Sequence, residues 1–259
     1  MTAEEGYVVR LASTEADLAS AQRLRYRVFV QELGGDGPLV DHHHKIERDA
    51  LDPFFDHLVL VDRAADPAQL DHVVGVYRLL PCDRAKAAGA FYSESEYDLT
   101  PLLVSGRRLL ELGRSCVHEA HRGGTAMFHL WNGLADYVLE RQIEILFGVA
   151  SFHGTDVSLL AQPLSYLHHN HLAPPDLRVV ARGAGAVEMD LLPAEALNKR
   201  AAVAGIPALI RAYLRLGGFV GSGAFVDHAF NTTDVCLVMD TTNMSARHRD
   251  FYTRKRTTA

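Results

Sequence analysis

Cysteine is scarce in this chain of 259 residues, and its three copies, Cys82, Cys116 and Cys236, are widely spaced. Because the number is odd and no C-x-x-C pair occurs, the sequence predicts neither a disulfide framework nor a zinc ribbon. The first ten residues, MTAEEGYVVR, are acidic and lack the apolar core of a signal peptide. Both features favour a protein of the reducing cytoplasm.

Long apolar runs and positive net charge are also missing. No uninterrupted apolar stretch reaches the ~18 residues of a membrane-spanning helix. The formal net charge of −6 argues against a nucleic-acid-binding protein. No G-x-S-x-G elbow marks a nucleophilic serine. Histidine is dense at 41–45 and 168–171, but the first stretch lacks the i, i+4 pairing of a zincin and neither comes with cysteine, so we expect no metal site.

The pattern of apolar residues predicts alternating strands and helices. The expected strands are 6–12, 57–62, 73–81, 109–117, 144–152, 177–183, 186–192 and 234–240. The expected helices are 14–32, 123–142, 155–169 and much of 193–217. This order indicates an α/β (α+β) protein with a central twisted mixed sheet flanked by helices. We expect a core of residues 1–192 and a C-terminal helical and strand extension of residues 193–259, together forming a single structural domain.

One strand–turn–helix unit, LLELGRSCVHEAHRGGT, carries unexpected charges. Glu111 and Arg114 are three residues apart in a strand, so they point to opposite faces unless a bulge intervenes at Gly113. The basic, glycine-rich turn that follows could bind phosphate at a helix N-terminus, with Arg122 adding a charge contact. The alternative is that RGG is only a flexible turn.

Three further sets of residues attract attention. Arg25 and Phe29 share one helix face, which could equally be a solvated basic face. Asp49 and Asp52 could hold a cationic amino group or cap a turn. Arg78 lies within an apolar strand and needs an acidic partner, for which Asp49, Asp52 and Glu111 are the candidates.

These motifs occur in the order LRYRVF, RDALD, GVYRLLP and LLELGRSCV. The order resembles that of the acyl-homoserine-lactone synthases, which are relatives of the GNAT superfamily and transfer an acyl chain to an amine. The resemblance implies a GNAT-like acyl-CoA N-acyltransferase fold. The matching positions are Arg25, Phe29, Asp49, Asp52, Arg78, Glu111 and Arg114.

The second half of the chain resembles a narrower family, the bacterial L-ornithine Nα-acyltransferases. The similarity rests on ELGRSCV, LWNGLADY, LFGVASFHGTD, PLSYLHHNHLAP and the segment from 206 to 239. Two positions depart from the related patterns: the tryptophan usual after the first helix is absent, leaving only Trp131, and His121 occupies the usual Gln or Arg place of the glycine turn.

The resemblance implies transfer of a 3-hydroxyacyl chain from acyl-carrier protein to the α-amino group of L-ornithine, giving lyso-ornithine lipid. It assigns catalysis to Glu111, Arg114 and Arg78, and acceptor binding to Arg25, Phe29, Asp49 and Asp52. Donor binding falls to Val117, Arg122, Gly123, Gly124 and Thr125. Glu111 either removes a proton from the amine or pairs with Arg25 or Arg78 while water acts as the base.

No tightly bound cofactor is expected, and the acyl donor is a phosphopantetheine thioester of acyl-carrier protein or of coenzyme A. Arg107, Arg108 and Arg122 are the candidate docking patch for the acidic carrier. Peripheral contact with the inner membrane could use the basic tail 247–256 and segment 207–219, although that segment could equally be an ordinary core helix with two surface arginines. Two alternatives are an N-acyltransferase for another amine, including a lactone synthase, and a non-catalytic module that binds carrier protein or lipid.

Overall fold

The computed structural model describes residues 6–243. Its strands are β1 (Tyr7–Leu11), β2 (Asp56–Asp62), β3 (Val73–Pro81), β4 (Tyr97–Asp98), β5 (Leu109–Val117), β6 (Ile145–His153), β7 (Val180–Ala181), β8 (Ala186–Val187), β9 (Phe219–Val220), β10 (Ala224–Asp227) and β11 (Thr232–Asp240). Its α-helices are α1 (Glu15–Arg25), α2 (Cys82–Ala88), α3 (Thr100–Leu103), α4 (Ala126–Glu140), α5 (Ala161–His171), α6 (Lys199–Gly205) and α7 (Ala208–Arg215). A π-helical segment, Tyr26–Glu32, continues α1.

The chain folds into two compact units. The first comprises Met1–Gly89 with Leu112–Gln142, and the second comprises Ala90–Glu111 with Ile143–Ala259. Strand β5 contributes residues to both units, since the division falls between Glu111 and Leu112. The predicted division of the chain after residue 192 stays a prediction.

In the first unit the strands follow the order β1-β2-β3-β5, and β2 pairs antiparallel with both β1 and β3. Helix α1 begins with a capping box in which Thr14 and Asp17 bond each other's backbone N–H groups. Its apolar residues Ala21 and Leu24 pack with Val59 and Val76 in a buried cluster. The amphipathic pattern read from the sequence therefore places the C-terminal end of α1 over the sheet.

Helix α4 also packs on this sheet, at a close approach that depends on Gly133. A Cβ at this position would overlap Val9 Cγ1 and lie 3.4 Å from Leu58 Cδ1. We therefore expect Gly133→Ala to lower the free energy of unfolding by about 1–2 kcal/mol, because the overlap outweighs the better helix propensity of alanine. Urea unfolding measures the change.

The matched control for this substitution is Gly6→Ala, since a Cβ at Gly6 would meet nothing within 4 Å. We expect the control to unfold within about 0.5 kcal/mol of the wild type. Equal free energies of unfolding for the two variants would contradict the prediction, because they would show that α4 can move away from β1 without loss of stability.

In the second unit the strands follow the order β5-β6-β11-β10-β8, with β9 beside β11. Residues Leu109–Glu111 run parallel to Ile145–Phe147, whereas β11 pairs antiparallel with β6 along its whole length. The sheet is therefore mixed, and α5, α6 and α7 pack within the same unit. The expected α/β class with a mixed sheet and flanking helices is confirmed.

Several boundaries differ from the predictions. The expected helix 14–32 is α-helical only to Arg25 and π-helical beyond it. The turn 121–125 opens a helix as expected, since α4 begins at Ala126, and a 3-10 turn at Glu119–His121 comes before it. The strands expected at 177–183 and 186–192 each shrink to two residues. Of residues 6–243, none belongs to a helix long and apolar enough to cross a membrane.

Candidate active site

Six charged side chains of the first unit meet at one place, which we call the charged cluster. They are Arg25, Glu47, Asp49, Asp52, Arg78 and Arg114. Helix α1 supplies the first arginine, β3 and β5 supply the other two, and the segment leading into β2 supplies the carboxylates. Three guanidinium groups and three carboxylates balance in formal charge. The structure thus brings together five residues that the sequence pointed to and one that it did not.

Asp52 links two of the arginines. Its carboxylate lies 2.8 Å from Arg25 Nη1 and 2.6 Å from Arg78 Nη1, and it accepts a hydrogen bond from Gln22 Nε2 at 3.0 Å. Burial would raise the pKa of this carboxyl group, but the charges of Arg25 and Arg78 hold it well below its ordinary value. Asp52 is therefore a buried anion that fixes two guanidinium groups.

Glu47 was not singled out from the sequence, although it stands two residues before Asp49. One oxygen of its carboxylate lies 2.5 Å from Arg25 Nε and the other lies 3.2 Å from Arg114 Nε. The side chain is 1% exposed. Burial opposes its ionisation, yet Arg25 and Arg114 lower its pKa. Glu47 thereby ties the buried end of the charged cluster to Arg114.

Asp49 and Arg114 are the members of the charged cluster that reach solvent. Their side chains are 23% and 11% exposed, against at most 5% for the other four. Arg114 Nη2 lies 3.7 Å from Asp49 Oδ2, and Asp49 Oδ2 accepts a hydrogen bond from Arg78 Nη1 at 2.7 Å. A small ligand can therefore approach one anion and one cation that the buried members hold in place.

Two arginines of the charged cluster also lie over aromatic rings. The guanidinium carbon of Arg78 lies 4.1 Å from the ring centroid of Phe55, and that of Arg114 lies 5.9 Å from the ring centroid of Phe29. Burial, together with the nearby charges of Arg25 and Arg114, lowers the pKa of Arg78. Phe29 reaches this position from the π-helical segment.

The direction of Arg114 depends on an irregular backbone in β5. Arg114 has φ +48°, in the left-handed region that non-glycine residues seldom adopt. The sequence left open an irregularity at Gly113, and the left-handed residue lies one position later. The strain coincides with a residue of the charged cluster.

Glu111 lies in the second unit and is 1% exposed. Its carboxylate accepts hydrogen bonds from the backbone N–H groups of Tyr92 and Ser93, both at 2.7 Å, and from Ser93 Oγ at 2.5 Å. Three donors occupy three of the roughly four acceptor positions that a carboxylate offers. This carboxylate therefore orders the 3-10 turn Tyr92–Ser95.

The glycine turn before α4 is open. Gly123 has φ +78°, and a Cβ on either Gly123 or Gly124 would meet nothing within 4 Å. Thr125 precedes the helix without a side-chain cap, so the first backbone N–H groups of α4 can bind an anion. Arg122 anchors the turn by donating to Val117 O at 2.8 Å and pairing with Glu32 at 2.7 Å.

Two further predictions concern the docking patch and helix α7. Arg107, expected in a docking patch, donates to both oxygens of Asp240 at 2.9 and 2.5 Å. Helix α7, for which a membrane surface and the protein core were both considered, buries Ile210 and Tyr213 within the protein. The basic tail 247–256 lies outside the described residues, and peripheral membrane contact stays a prediction.

Known proteins resemble this chain in sequence. Residues 24–132 match the family described as an acetyltransferase (GNAT) domain. The L-ornithine N(alpha)-acyltransferase of Rhodobacter capsulatus is 63% identical over 96% of this chain and 95% of its own length. The protein of the same name from Agrobacterium fabrum is 42% identical over 94% of this chain and 84% of its own length.

Solved structures confirm the fold. A CoA-dependent acyl-homoserine-lactone synthase, BjaI, with SAM and isopentyl-CoA, matches with a TM-score of 0.53 and 14% identity. The match covers 96% of this chain and 89% of the synthase. The same synthase with MTA gives a TM-score of 0.52 at 16% identity. The GNAT-like acyltransferase fold expected from the strand and helix motifs is thereby confirmed.

Proposed function

Because the chain belongs to the L-ornithine Nα-acyltransferase family, we propose that it joins an acyl chain to the α-amino group of L-ornithine and forms lyso-ornithine lipid. The observation that carries this proposal is the near full-length identity of 63% to a relative of that name. The charged cluster supports it, because ornithine brings two ammonium groups and one carboxylate to a site with an accessible anion and cation.

We assign acceptor binding to the exposed members of the charged cluster. Asp49 holds an ammonium group of ornithine, and Arg114 holds its carboxylate in a charge-assisted pair. The buried members of the charged cluster hold these two side chains in place, among them Arg25, Asp52 and Arg78. Asp52 is 5% exposed and shared by two arginines, so it supports the site rather than contacting the acceptor.

The reaction forms an amide from a thioester. The neutral amine attacks the thioester carbonyl carbon, the carbon–sulfur bond breaks, and the thiol leaves with the proton that the amine gives up. An α-amino group has an ordinary pKa of ~7.7–8.0. At pH 7 a fraction of it has therefore already lost its first proton to water and is the neutral amine that attacks. We assign stabilisation of the developing oxyanion to backbone N–H groups of the β5 residues that follow Glu111. Glu111 acts as a positioning residue.

The donor is an acyl thioester, and we propose acyl-carrier protein as its carrier. The phosphate of the pantetheine arm fits the open turn at Gly123 and Gly124, where the uncapped N-terminus of α4 and the nearby Arg122 favour an anion. Val117 and Thr125 mark the two ends of this turn. No tightly bound cofactor takes part in this proposal.

Mass spectrometry of reaction mixtures tests both substrates. The protein is incubated with 3-hydroxyacyl-carrier protein or the matching acyl-CoA, each with ornithine, lysine, glutamine and homoserine. We expect acylated ornithine as the main product and the carrier protein as the better donor. Preferential acylation of another amine would reject the acceptor, and equal rates from both donors would reject the carrier preference.

Asp49→Asn tests the assignment of the ammonium group. The variant keeps the size of the side chain and removes its charge, so the ornithine KM is expected to rise about 10–100-fold, as the loss of one charged hydrogen bond implies. Steady-state kinetics at saturating donor measure it. Asp71→Asn, which removes an exposed carboxylate elsewhere in the same unit, should leave KM unchanged. An unaltered KM in Asp49→Asn would contradict the assignment.

A further inference from the structure

The histidine-rich end of α5 meets a carboxylate that is distant in sequence. His168 and His169 occupy the last turn of α5, and Asp190 follows β8. One ligand atom from each of the three side chains lies within 4.8 Å of the other two. We propose that His168, His169 and Asp190 bind one divalent transition-metal ion of the zinc class. This site is independent of the acyl-transfer chemistry and lies within the second unit.

The spacing of the donor atoms fits such an ion. Asp190 Oδ1 lies 3.2 Å from His169 Nε2, and Asp190 Oδ2 lies 3.9 Å from His168 Nε2. A tetrahedral zinc ion with bonds of ~2.0–2.2 Å separates its ligand atoms by about 3.4 Å. The two observed distances lie on either side of that value, and the three ligand atoms lie within 4.8 Å of one another.

The backbone already holds the carboxylate near the histidines. Ser165 belongs to α5 and is buried, and its Oγ accepts hydrogen bonds from Leu191 N at 3.0 Å and Leu192 N at 2.9 Å. The residues that follow Asp190 are therefore fastened to the helix one turn before His168. The site is preorganised, which lowers the entropic cost of binding.

The donor set selects the class of metal. Two imidazoles and one carboxylate suit zinc, cobalt or nickel, whereas magnesium and calcium prefer oxygen ligands alone. Without metal, His169 Nε2 donates to Leu192 O at 2.9 Å, so a metal ion at this nitrogen would replace that hydrogen bond and the neutral ring would carry its proton on Nδ1. The side chains are 25%, 24% and 51% exposed, which leaves room for water in the remaining coordination position. The bound ion would join the segment after β8 to α5.

Cobalt and zinc titrations of the full chain, prepared without an affinity tag and stripped with EDTA, test the site. We expect one equivalent of Co²⁺ to give the visible absorption of a tetrahedral site and to be displaced by Zn²⁺. Zinc should also raise the Tm, because it binds the folded state. Asp190→Asn and His169→Gln should each weaken cobalt binding at least tenfold.

His171→Gln is the matched control, since it alters the same turn of α5 outside the proposed ligands, and it should bind cobalt as the wild type does. Circular dichroism checks that each variant is folded. A wild type without the tetrahedral spectrum would overturn the proposal. So would an Asp190→Asn variant that binds as tightly as the wild type, or equal losses in His171→Gln and His169→Gln.

Discussion

Replacing Asp52 with asparagine is expected to lower the free energy of unfolding by ~3–5 kcal/mol and to abolish acyl transfer. The substitution deprives Arg25 and Arg78 of the carboxylate they share at 2.8 and 2.6 Å, deep in the charged cluster. Two buried guanidinium groups would then face each other with too little negative charge between them. Urea unfolding at pH 7 and an assay of ornithine acylation measure the two effects.

The pH dependence of stability gives a second readout for the same variant. Asp52 and Glu47 both have lowered pKa values, mainly because arginine charges overcome the effect of burial. Their contribution to stability is therefore complete above the ordinary carboxyl pKa of ~4 and is lost as the pH falls below it. Asp52→Asn should flatten the decline of stability between pH 5 and pH 2.

Asp71→Asn serves as the control, because Asp71 is exposed and lies outside the charged cluster, so the unfolding free energy should change by about 0.5 kcal/mol at most. Equal stabilities of Asp52→Asn and the wild type at pH 7 would show that Asp52 does not hold the two arginines together.

Replacing Glu111 with glutamine is expected to lower kcat about tenfold while leaving the acid limb of the pH–rate profile in place. The amide keeps one acceptor oxygen, but its NH₂ group would face a donor where the carboxylate now accepts from Tyr92 N, Ser93 N and Ser93 Oγ. The turn Tyr92–Ser95 would therefore shift, and a rate that depends on its position would fall. Rates of ornithine acylation from pH 5.5 to 9 measure the effect.

A general base would behave differently at this position. Its loss typically costs 10²–10⁴-fold in rate and removes the corresponding limb of the pH profile. That outcome for Glu111→Gln would contradict the positioning role. Glu188→Gln, an exposed change in the same unit, controls for the loss of one carboxylate and should match the wild type.

Long apolar strands were predictable from the sequence, as β3 and β5 illustrate. Their observed bounds, Val73–Pro81 and Leu109–Val117, are those expected from the apolar runs. The charges inside these runs also pointed to a site, because an arginine in a buried strand needs a partner. For Arg78 the structure provides Asp49 and Asp52, two of the three candidates considered.

Features set by contacts between distant segments were not predictable. Glu47 lies in an irregular segment without periodicity, so nothing local distinguished it from a solvated charge. The short strands β9 and β10 lie among glycines and are defined by their pairing with β11. Asp190 comes close to His168 where Ser165 binds the residues that follow Asp190, and a search by ligand spacing in sequence misses such a set.

The π-helical segment has a consequence for how this protein can vary over evolution. A π-helical turn is one residue longer than an α-helical turn, so it corresponds to a single insertion in a helix. Tyr26–Glu32 carries Phe29 towards Arg114 and Glu32 towards Arg122. Deleting one residue from it would restore a regular helix and rotate both side chains out of place. Descendants of this sequence can therefore exchange residues in the segment one by one, but they must preserve its length.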